Sequence, residues 1–442
     1  MSRILIIGAG RSSSSLIDYM LSNAKKYAWY VTIADANKQA VESKIANYKE
    51  VAKAVEFDVV NVALREQLIS DSDFVISMLP AFMHGDVARD CVRLGKHIAT
   101  ASYVSADMKE LDAEAKKKNL ILLNECGLDP GIDHASAMKV IHEIQDKGGK
   151  ITNFKSFCGG LVAPESNDNP WGYKFSWNPR NVVLAGQGTA QFIEEGSLKF
   201  IPYNRLFTQT ETIEVDGYGK FDAYANRDSI GYKEPYGLND ASTMLRGTLR
   251  MPGYCKAWNV FVKLGLTDDS YKIKNANTLT YTDLLQSFLP KGKASVKEKL
   301  SDFMGQEIDN EVMSKLEYLE LFSNKPIKLK EGSPAELLQN LLEEKWLLKN
   351  GDKDMIVMQH LFEYELNGAR KKMTSSLVVI GDDEVHTAMA KTVGLPLAIA
   401  IKNFLTGGFK LYGVQIPIVK EIYEPMLTEL ETLGIKFVEK EG

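Results

Sequence analysis

The sequence lacks the features that define several protein classes. Its 442 residues hold only four cysteines. Cys91, Cys126, Cys158 and Cys255 lie far apart with no Cys-x-x-Cys pair, so no disulfide framework or zinc finger is expected, and the thiols read as reduced and buried. His84, His97, His134, His142, His360 and His386 are scattered without metal-ligand spacing, and no metal is expected. No run reaches the roughly 18 apolar residues of a membrane helix. The nearest, GLPLAIAIKNFL, is interrupted by Lys402. Charge of one sign does not dominate either: 53 basic residues face 58 acidic ones, net −5. Without a basic stripe, no nucleic-acid partner is expected. The N-terminus enters a strand-like run at once, so no signal peptide is expected. The expectation is a soluble, cytoplasmic protein whose partner is a small molecule.

The chain is long enough for about three domains. Up to about residue 130, short apolar runs alternate with helical stretches. Ile4–Gly8, Trp29–Asp35, Asp73–Leu79, His97–Thr100 and Leu120–Glu125 read as buried parallel strands, with EFDVVN as a further one. Ser13–Ala24 and His84–Gly95 read as helices between them. This alternation predicts an α/β fold, a Rossmann-like doubly wound parallel sheet. Character changes after Gly149. ITNFKSFCG, RLFTQTETIEV and KAWNVFVKLG read as strands of a mostly antiparallel sheet, and residues 268–350 as a small helical insertion ended by Gly351. DMIVMQHLFEYEL and KKMTSSLVVIG rejoin that sheet. HTAMAKTVGLPLAIAIKNFL reads as a helix that Pro396 should kink or divide, and the tail as a closing helix and strand. The expected domains are residues 1–130 with 396–442 for a dinucleotide, 131–267 with 351–395 as an α+β substrate and dimerisation domain, and the insertion.

GAGRSS, residues 8–13, sits between the first strand and its helix, where glycines let backbone N–H groups approach a pyrophosphate. Ser13 replaces the third glycine. Asp35 ends the second strand, placed to accept hydrogen bonds from ribose hydroxyls and to repel a 2′-phosphate. NAD is therefore expected over NADP, with Lys38 near enough to tolerate NADP. SMLPAFMHG and TASY close later strands at the edge where ligands bind.

NECGLDPGIDH leaves the fifth strand at the same edge, with Asp129 just before a sharp turn at Pro130 and Gly131. CGGLVAPESNDNPWGYKFSW is a long loop rich in glycine, proline and aromatics. AYANRDS and RGTLRMPGY bring arginines among small polar residues. Guanidinium forks suit carboxylates, so several feeding one cleft imply a substrate with more than one carboxylate.

At TASYVS, GLDPGIDH, CGGLVAPESNDNPWGYKFSW, NRDS, RGTLR and TAMAKTVGLPLAIA the chain resembles the saccharopine dehydrogenases that release glutamate, in family order and over essentially its whole length. The resemblance implies oxidative cleavage of saccharopine to L-glutamate and 2-aminoadipate 6-semialdehyde, or the reverse condensation, in lysine metabolism. It implies substrate contacts from Ser102, Tyr103, Asp129, Arg227, Thr248, Leu249 and Arg250. Cofactor contacts would come from Gly8, Gly10, Arg11, Ser12, Ser13, Asp35, Leu79, Pro80, Thr100, Ala101, Leu128, Asp129 and Pro130, with Asp58 and Val59 flanking the adenine. Asp35 departs from the fungal biosynthetic members, which carry a basic residue near this strand end and use NADP.

Hydride leaves a carbon beside the secondary amine, so that amine must be neutral, and the imine then needs an activated water. Asp129, Tyr103 and Cys158 are the candidates for moving these protons; His134 reads as a structural residue opening a helix. A homodimer through the sheet domain is expected. A carboxynorspermidine or homospermidine synthase is the alternative enzyme, opposed by Arg227 and Arg250 because polyamines are cationic. A non-catalytic NAD-binding sensor is the alternative from another class.

Overall fold

The structure is a computed structural model that describes residues 1–305 and 307–442. The chain forms two compact units, residues 1–149 with 377–438 and residues 150–376 with 439–442.

The first unit is built on a parallel sheet. Its strands are β1 (Ser2–Ile7), β2 (Trp29–Asp35), β3 (Ala52–Glu56), β4 (Phe74–Ser77), β5 (His97–Ala99) and β6 (Ile121–Leu123), with Gly413–Gln415 added at one edge. They lie in the order β3-β2-β1-β4-β5-β6 and then Gly413–Gln415. Residues Ile4 to Ile7 are wholly buried, as strands covered on both faces must be. Helices α1 (Ser14–Tyr27), α2 (Lys38–Lys44), α3 (Val62–Ser70) and α4 (His84–Leu94) make the crossovers. Asn37 and Asn61 cap α2 and α3 with their side-chain oxygens, and Gly95 closes α4 in the left-handed conformation at φ 70°. An enclosed Arg65–Asp90 ion pair at 2.7 Å ties α3 to α4.

Three sequence expectations are corrected in this unit. EFDVVN is not a strand: β3 ends at Glu56, and Asp58 and Val59 fall in the turn after it. The helix Ala388–Leu405 is not divided at Pro396. It is the one helix among the described residues long and apolar enough to cross a membrane, yet it lies mostly buried against α1. A Cβ on Gly394 would stand 2.7 Å from the Leu16 amide nitrogen, so the helix lies close against α1 there, and it continues through the proline as one element. The unit boundary also falls at Gly149 and Leu377, not at 130 and 396. Helix Ile132–Asp146 stays with this unit because it packs on Lys420–Thr432, where His142 Nδ1 lies 2.8 Å from Tyr423 Oη. Ser14 Oγ donates to the Val385 carbonyl at 2.8 Å, tying the segment before Pro396 to α1.

The second unit carries a nine-stranded, mostly antiparallel sheet. Its strands include β7 (Lys150–Val162), β8 (Thr189–Glu194), β9 (Ser197–Pro202), β10 (Glu211–Val215), β11 (Gly219–Ala225) and β12 (Thr243–Arg250), followed by Asp354–Leu366, Ala369–Ile380 and Val438–Glu441. β12 and β7 pair in parallel; β7 pairs antiparallel with Asp354–Leu366 along its other edge. The last strand belongs here and not to the dinucleotide sheet: Gly442 donates its amide to the Lys372 carbonyl at 3.0 Å.

KAWNVFVKLG is not a strand but most of the helix Tyr254–Leu264, entered at Gly253 and left at Gly265, both left-handed. Its aromatic and β-branched residues suit a strand, but tertiary burial overrides that preference. Four α-helices lie among the described residues of 268–350, three of them opened by capping boxes at Thr280 with Asp283, Ser295 with Glu298 and Ser333 with Glu336. They belong to this unit rather than standing apart. The glycine- and aromatic-rich segment read as a loop is also partly core. Trp171, Tyr173 and Phe175 are buried among Tyr254, Trp258 and Trp346, with Trp171 Nε1 donating to the Lys315 carbonyl at 2.7 Å.

Candidate active site

The direction of the sheet order reverses on either side of β1, which has β2 on one side and β4 on the other. Such a switch point opens a crevice at the carboxyl ends of the strands. Gly8 follows β1 at φ 98°, and a Cβ there would stand 2.9 Å from the Met78 carbonyl oxygen, so the chain itself demands glycine. Gly10 differs. Its φ is −67°, and a Cβ there would meet nothing within 4 Å. Nothing in the fold requires glycine at 10, and the open space beside it is what a pyrophosphate lying on the turn needs. Ser13, in the position of the missing third glycine, donates from Oγ to the Gly10 carbonyl at 2.7 Å and closes the turn from within. The segment Arg11–Ser13 is a short 3-10 turn leading into α1. These residues fit the phosphates of a dinucleotide.

Asp35 braces the same turn. Its Oδ2 accepts the Ala9 amide at 2.7 Å and its Oδ1 the Asn37 amide at 2.8 Å, so it both ends β2 and shapes the loop that follows. Phe57 donates its amide to the Asp35 carbonyl at 3.0 Å, which sets residues 57–59 beside the ribose-side acid. Asp58 is exposed and accepts the Val60 amide at 3.1 Å; Val59 packs against the core. Lys44 Nζ donates to the Ala9 carbonyl at 3.3 Å, with its pKa lowered by burial against the opposing pull of Asp18 and Asp35. Lys38 is engaged with Glu42 on the surface of α2.

Leu79 packs on the core after β4, and Pro80 stands exposed. Thr100, Ala101, Ser102 and Tyr103 leave β5, the first buried and the others half-buried. The loop from β6 meets them. Glu125, at φ 55°, donates its amide to the Ser102 carbonyl at 3.0 Å and accepts the Val104 amide on Oε1 at 2.9 Å. Its Oε2 lies 2.8 Å from His134 Nε2. The Asp129–Pro130 peptide is cis, and Gly131 follows at φ 148°. The turn is held by Asp133, whose Oδ1 accepts the Gly131 amide at 2.6 Å, while Leu128 offers its carbonyl to the Asp133 amide at 3.1 Å. Tyr103 Oη donates to Asp129 Oδ1 at 3.2 Å. Two proposed proton-transfer groups are thus brought together at the ligand edge of the sheet, and His134 is a buried structural partner.

The remaining expected residues sit in the second unit. RGTLR lies in a strand: alternation along β12 puts Arg246, Thr248 and Arg250 on one face and Leu249, fully buried, on the other. Thr248 is flanked across the sheet by Cys158 and Tyr224. Arg250 is only 4% exposed, inside an aromatic cage. Its guanidinium carbon lies 5.4 Å from the Tyr173 ring, 5.8 Å from Tyr224 and 5.4 Å from Tyr254. Its Nη1 donates to the Leu249 carbonyl at 3.0 Å, and its buried Nε has no acceptor among the described residues. Arg246 stacks 4.4 Å from the Tyr232 ring. Arg227 is exposed at φ 46°. All four cysteines are reduced and buried, Cys158 among them.

Sequence reasoning passed over two residues here. His84 was set aside because its spacing suits no metal, yet it binds Ser77, Thr100 and Ser102. Glu125 was read as no more than the end of a strand. Neither is signalled locally, since their partners arrive from other strands.

A glycine-turn dinucleotide sheet joined to a mixed sheet bearing buried arginines defines a nicotinamide-dependent oxidoreductase. Family models described as the saccharopine dehydrogenase NADP binding domain and the saccharopine dehydrogenase C-terminal domain match residues 4–123 and 127–435. The chain belongs to the saccharopine dehydrogenase family. It is 35% identical to the saccharopine dehydrogenase [NADP(+), L-glutamate-forming] of Pyricularia oryzae, over 99% of this chain and 98% of that protein. The apo histidine-tagged saccharopine dehydrogenase (L-Glu forming) from Saccharomyces cerevisiae superposes with a TM-score of 0.89 at 32% identity, over the whole of both chains. A homospermidine synthase from Legionella pneumophila in complex with NAD shares the fold, with a TM-score of 0.58 at 11% identity over 100% of this chain and 91% of that one.

Proposed function

We propose that this protein catalyses the nicotinamide-dependent oxidation of saccharopine, with water, to L-glutamate and 2-aminoadipate 6-semialdehyde, with NAD as the preferred carrier. The observation that carries the reading is the Tyr103–Asp129 pair at 3.2 Å on the ligand edge of a dinucleotide sheet, in a chain related along its full length to L-glutamate-forming enzymes.

The bound dinucleotide supplies the hydride acceptor. The protein holds the substrate amine and moves protons. Asp129, with Oδ1 engaged by Tyr103, takes the proton of the substrate ammonium, so that the nitrogen lone pair is available as hydride departs. After the C–N bond becomes an imine, the same pair orients water onto the imine carbon. The proton that leaves water goes toward the nitrogen, which departs as the amine of glutamate while the carbon becomes the aldehyde. The caged Arg250, with an N–H left over, suits a carboxylate. A cationic polyamine would be repelled by the same group, which disfavours the homospermidine synthase chemistry despite the shared fold.

The preference for NAD rests on Asp35. Its carboxylate, fixed by the Ala9 and Asn37 amides, stands at the end of β2 where a 2′-phosphate would add two like charges. The Pyricularia relative is named for NADP(+). Initial rates of absorbance rise at the reduced-nicotinamide band, with saccharopine and either carrier, test both parts. No turnover of saccharopine ends the proposal; faster turnover with NADP, or an Asp35→Ala variant of unchanged preference, ends the NAD assignment.

A further inference from the structure

Ser77, His84, Thr100 and Ser102 form a hydrogen-bonded group where β4 and β5 end. The His84 ring is 3% exposed. Its Nδ1 lies 2.8 Å from Ser77 Oγ, and its Nε2 lies 2.8 Å from Ser102 Oγ and 3.2 Å from Thr100 Oγ1. Burial lowers its pKa to about 4, so near neutral pH the ring has one N–H and one lone pair. Three hydroxyl hydrogens therefore compete for a single imidazole acceptor.

Ser77 has the strongest claim. It is fully buried, and its hydroxyl has no other partner among the described residues. A buried donor left unmade is costly, so Ser77 donates to Nδ1. Thr100 is buried too, but at 3.2 Å against 2.8 Å for Ser77 it makes the weaker contact with the ring, and its oxygen accepts the Ser102 amide at 3.2 Å. Nε2–H then donates to Ser102 Oγ. Ser102 is the half-buried member of the group, and its own hydrogen is left to point away from the ring.

We propose that His84 is a positioning residue that fixes the Ser102 hydroxyl as a hydrogen-bond donor to a carboxylate oxygen of the bound amino acid. This deepens the saccharopine reading and rests on it for the identity of the acceptor. The arrangement selects by polarity. A carboxylate, which only accepts, satisfies Ser102; an ammonium group, which only donates, meets a hydroxyl turned the wrong way.

Two measurements on the full chain test it. With six histidines, ¹⁵N-histidine labelling gives a long-range ¹H–¹⁵N spectrum in which loss of one signal set in His84→Gln assigns the ring. The Nε2–H tautomer is expected at neutral pH, and the Nδ1–H tautomer overturns the proposal whether or not saccharopine is turned over. The second is kinetic. In His84→Asn the amide reaches only the Nδ1 position, whereas in His84→Gln it reaches the Nε2 position. His84→Asn is expected to raise KM for saccharopine about tenfold, the worth of one hydrogen bond to a charged group, with cofactor affinity held. His84→Gln is expected to retain most of the wild-type KM, and Ser102→Ala combined with His84→Asn to be no worse than either alone. Equal damage from Asn and Gln, or multiplied losses in the double variant, overturns it. If saccharopine is not a substrate the proposed function falls, while the tautomer still decides the role of His84.

Discussion

Glu125 and His134 face each other at 2.8 Å inside the dinucleotide-binding unit, and the other oxygen of Glu125 holds the Val104 amide at 2.9 Å. With the Glu125 amide on the Ser102 carbonyl, one residue fixes both ends of the Ser102–Val104 segment. Glu125→Ala leaves the half-buried Val104 amide and the buried His134 imidazole without this carboxylate. A loss of about 3 kcal/mol of unfolding free energy is expected. Glu125→Gln keeps an acceptor for Val104 and should lose about 1 kcal/mol. Urea titrations of the three proteins check the ranking, and equal stability of Ala and wild type would remove Glu125 from this role.

Tyr103 and Asp129 are predicted to act as one unit. Tyr103→Phe removes the hydroxyl that donates to Asp129 Oδ1 and should lower kcat about tenfold, since it leaves the carboxylate in place. Asp129→Asn keeps the shape but removes the charge that holds the amine, and should lower kcat by about a hundredfold or more. The double variant should be close to Asp129→Asn alone. Additive losses would mean that the two hydroxyl and carboxyl groups serve separate steps.

How far these features could be read from sequence depends on where their partners lie. Strands such as ILIIG and WYVTIAD announce themselves because parallel strands bury both faces, and the glycine turn is local to residues 8–13. The strand TMLRGTLR was missed because arginines at 246 and 250 break the apolar alternation. Only the cage of Tyr173, Tyr224 and Tyr254, drawn from three separate segments, makes an inward arginine tolerable. KAWNVFVKLG misleads in the opposite way: the helix is buried except at Lys256 and Lys263, and the aromatic and β-branched residues between them suit a strand as well. The helix Ile132–Asp146 was given to the wrong unit because its partner, Lys420–Thr432, lies nearly at the other end of the chain.

The depressed pKa of His84 makes stability depend on pH in a defined window. Burial lowers it from 6.5 to about 4. Between those values the unfolded chain binds a proton at this site that the folded chain does not, so unfolding is favoured as pH falls. The contribution of the neutral ring is fully present above pH 6.5 and is lost progressively down to about pH 4, by about 3 kcal/mol in all. His84→Gln, which cannot titrate, should flatten the stability profile across that window. Urea midpoints of both proteins from pH 7 to pH 4.5 provide the measurement, and parallel profiles would refute the assignment.

Arg250 separates binding from folding most sharply. A guanidinium sealed among three tyrosines gains cation–π attraction but gives up most of its hydration, and its Nε–H finds no acceptor among the described residues. Replacing such a charge by an apolar chain of similar length is commonly neutral or stabilising when the charge serves only the fold. Arg250→Met should therefore melt within a few degrees of wild type or above it, while kcat/KM for saccharopine falls about a hundredfold as the carboxylate loses its partner. Arg250→Lys should not rescue, because a single ammonium cannot present the fork. If Arg250→Met instead unfolds the protein and leaves the surviving fraction fully active, the cage is structural, and the carboxylates of the substrate must be held by Arg227 or Arg246.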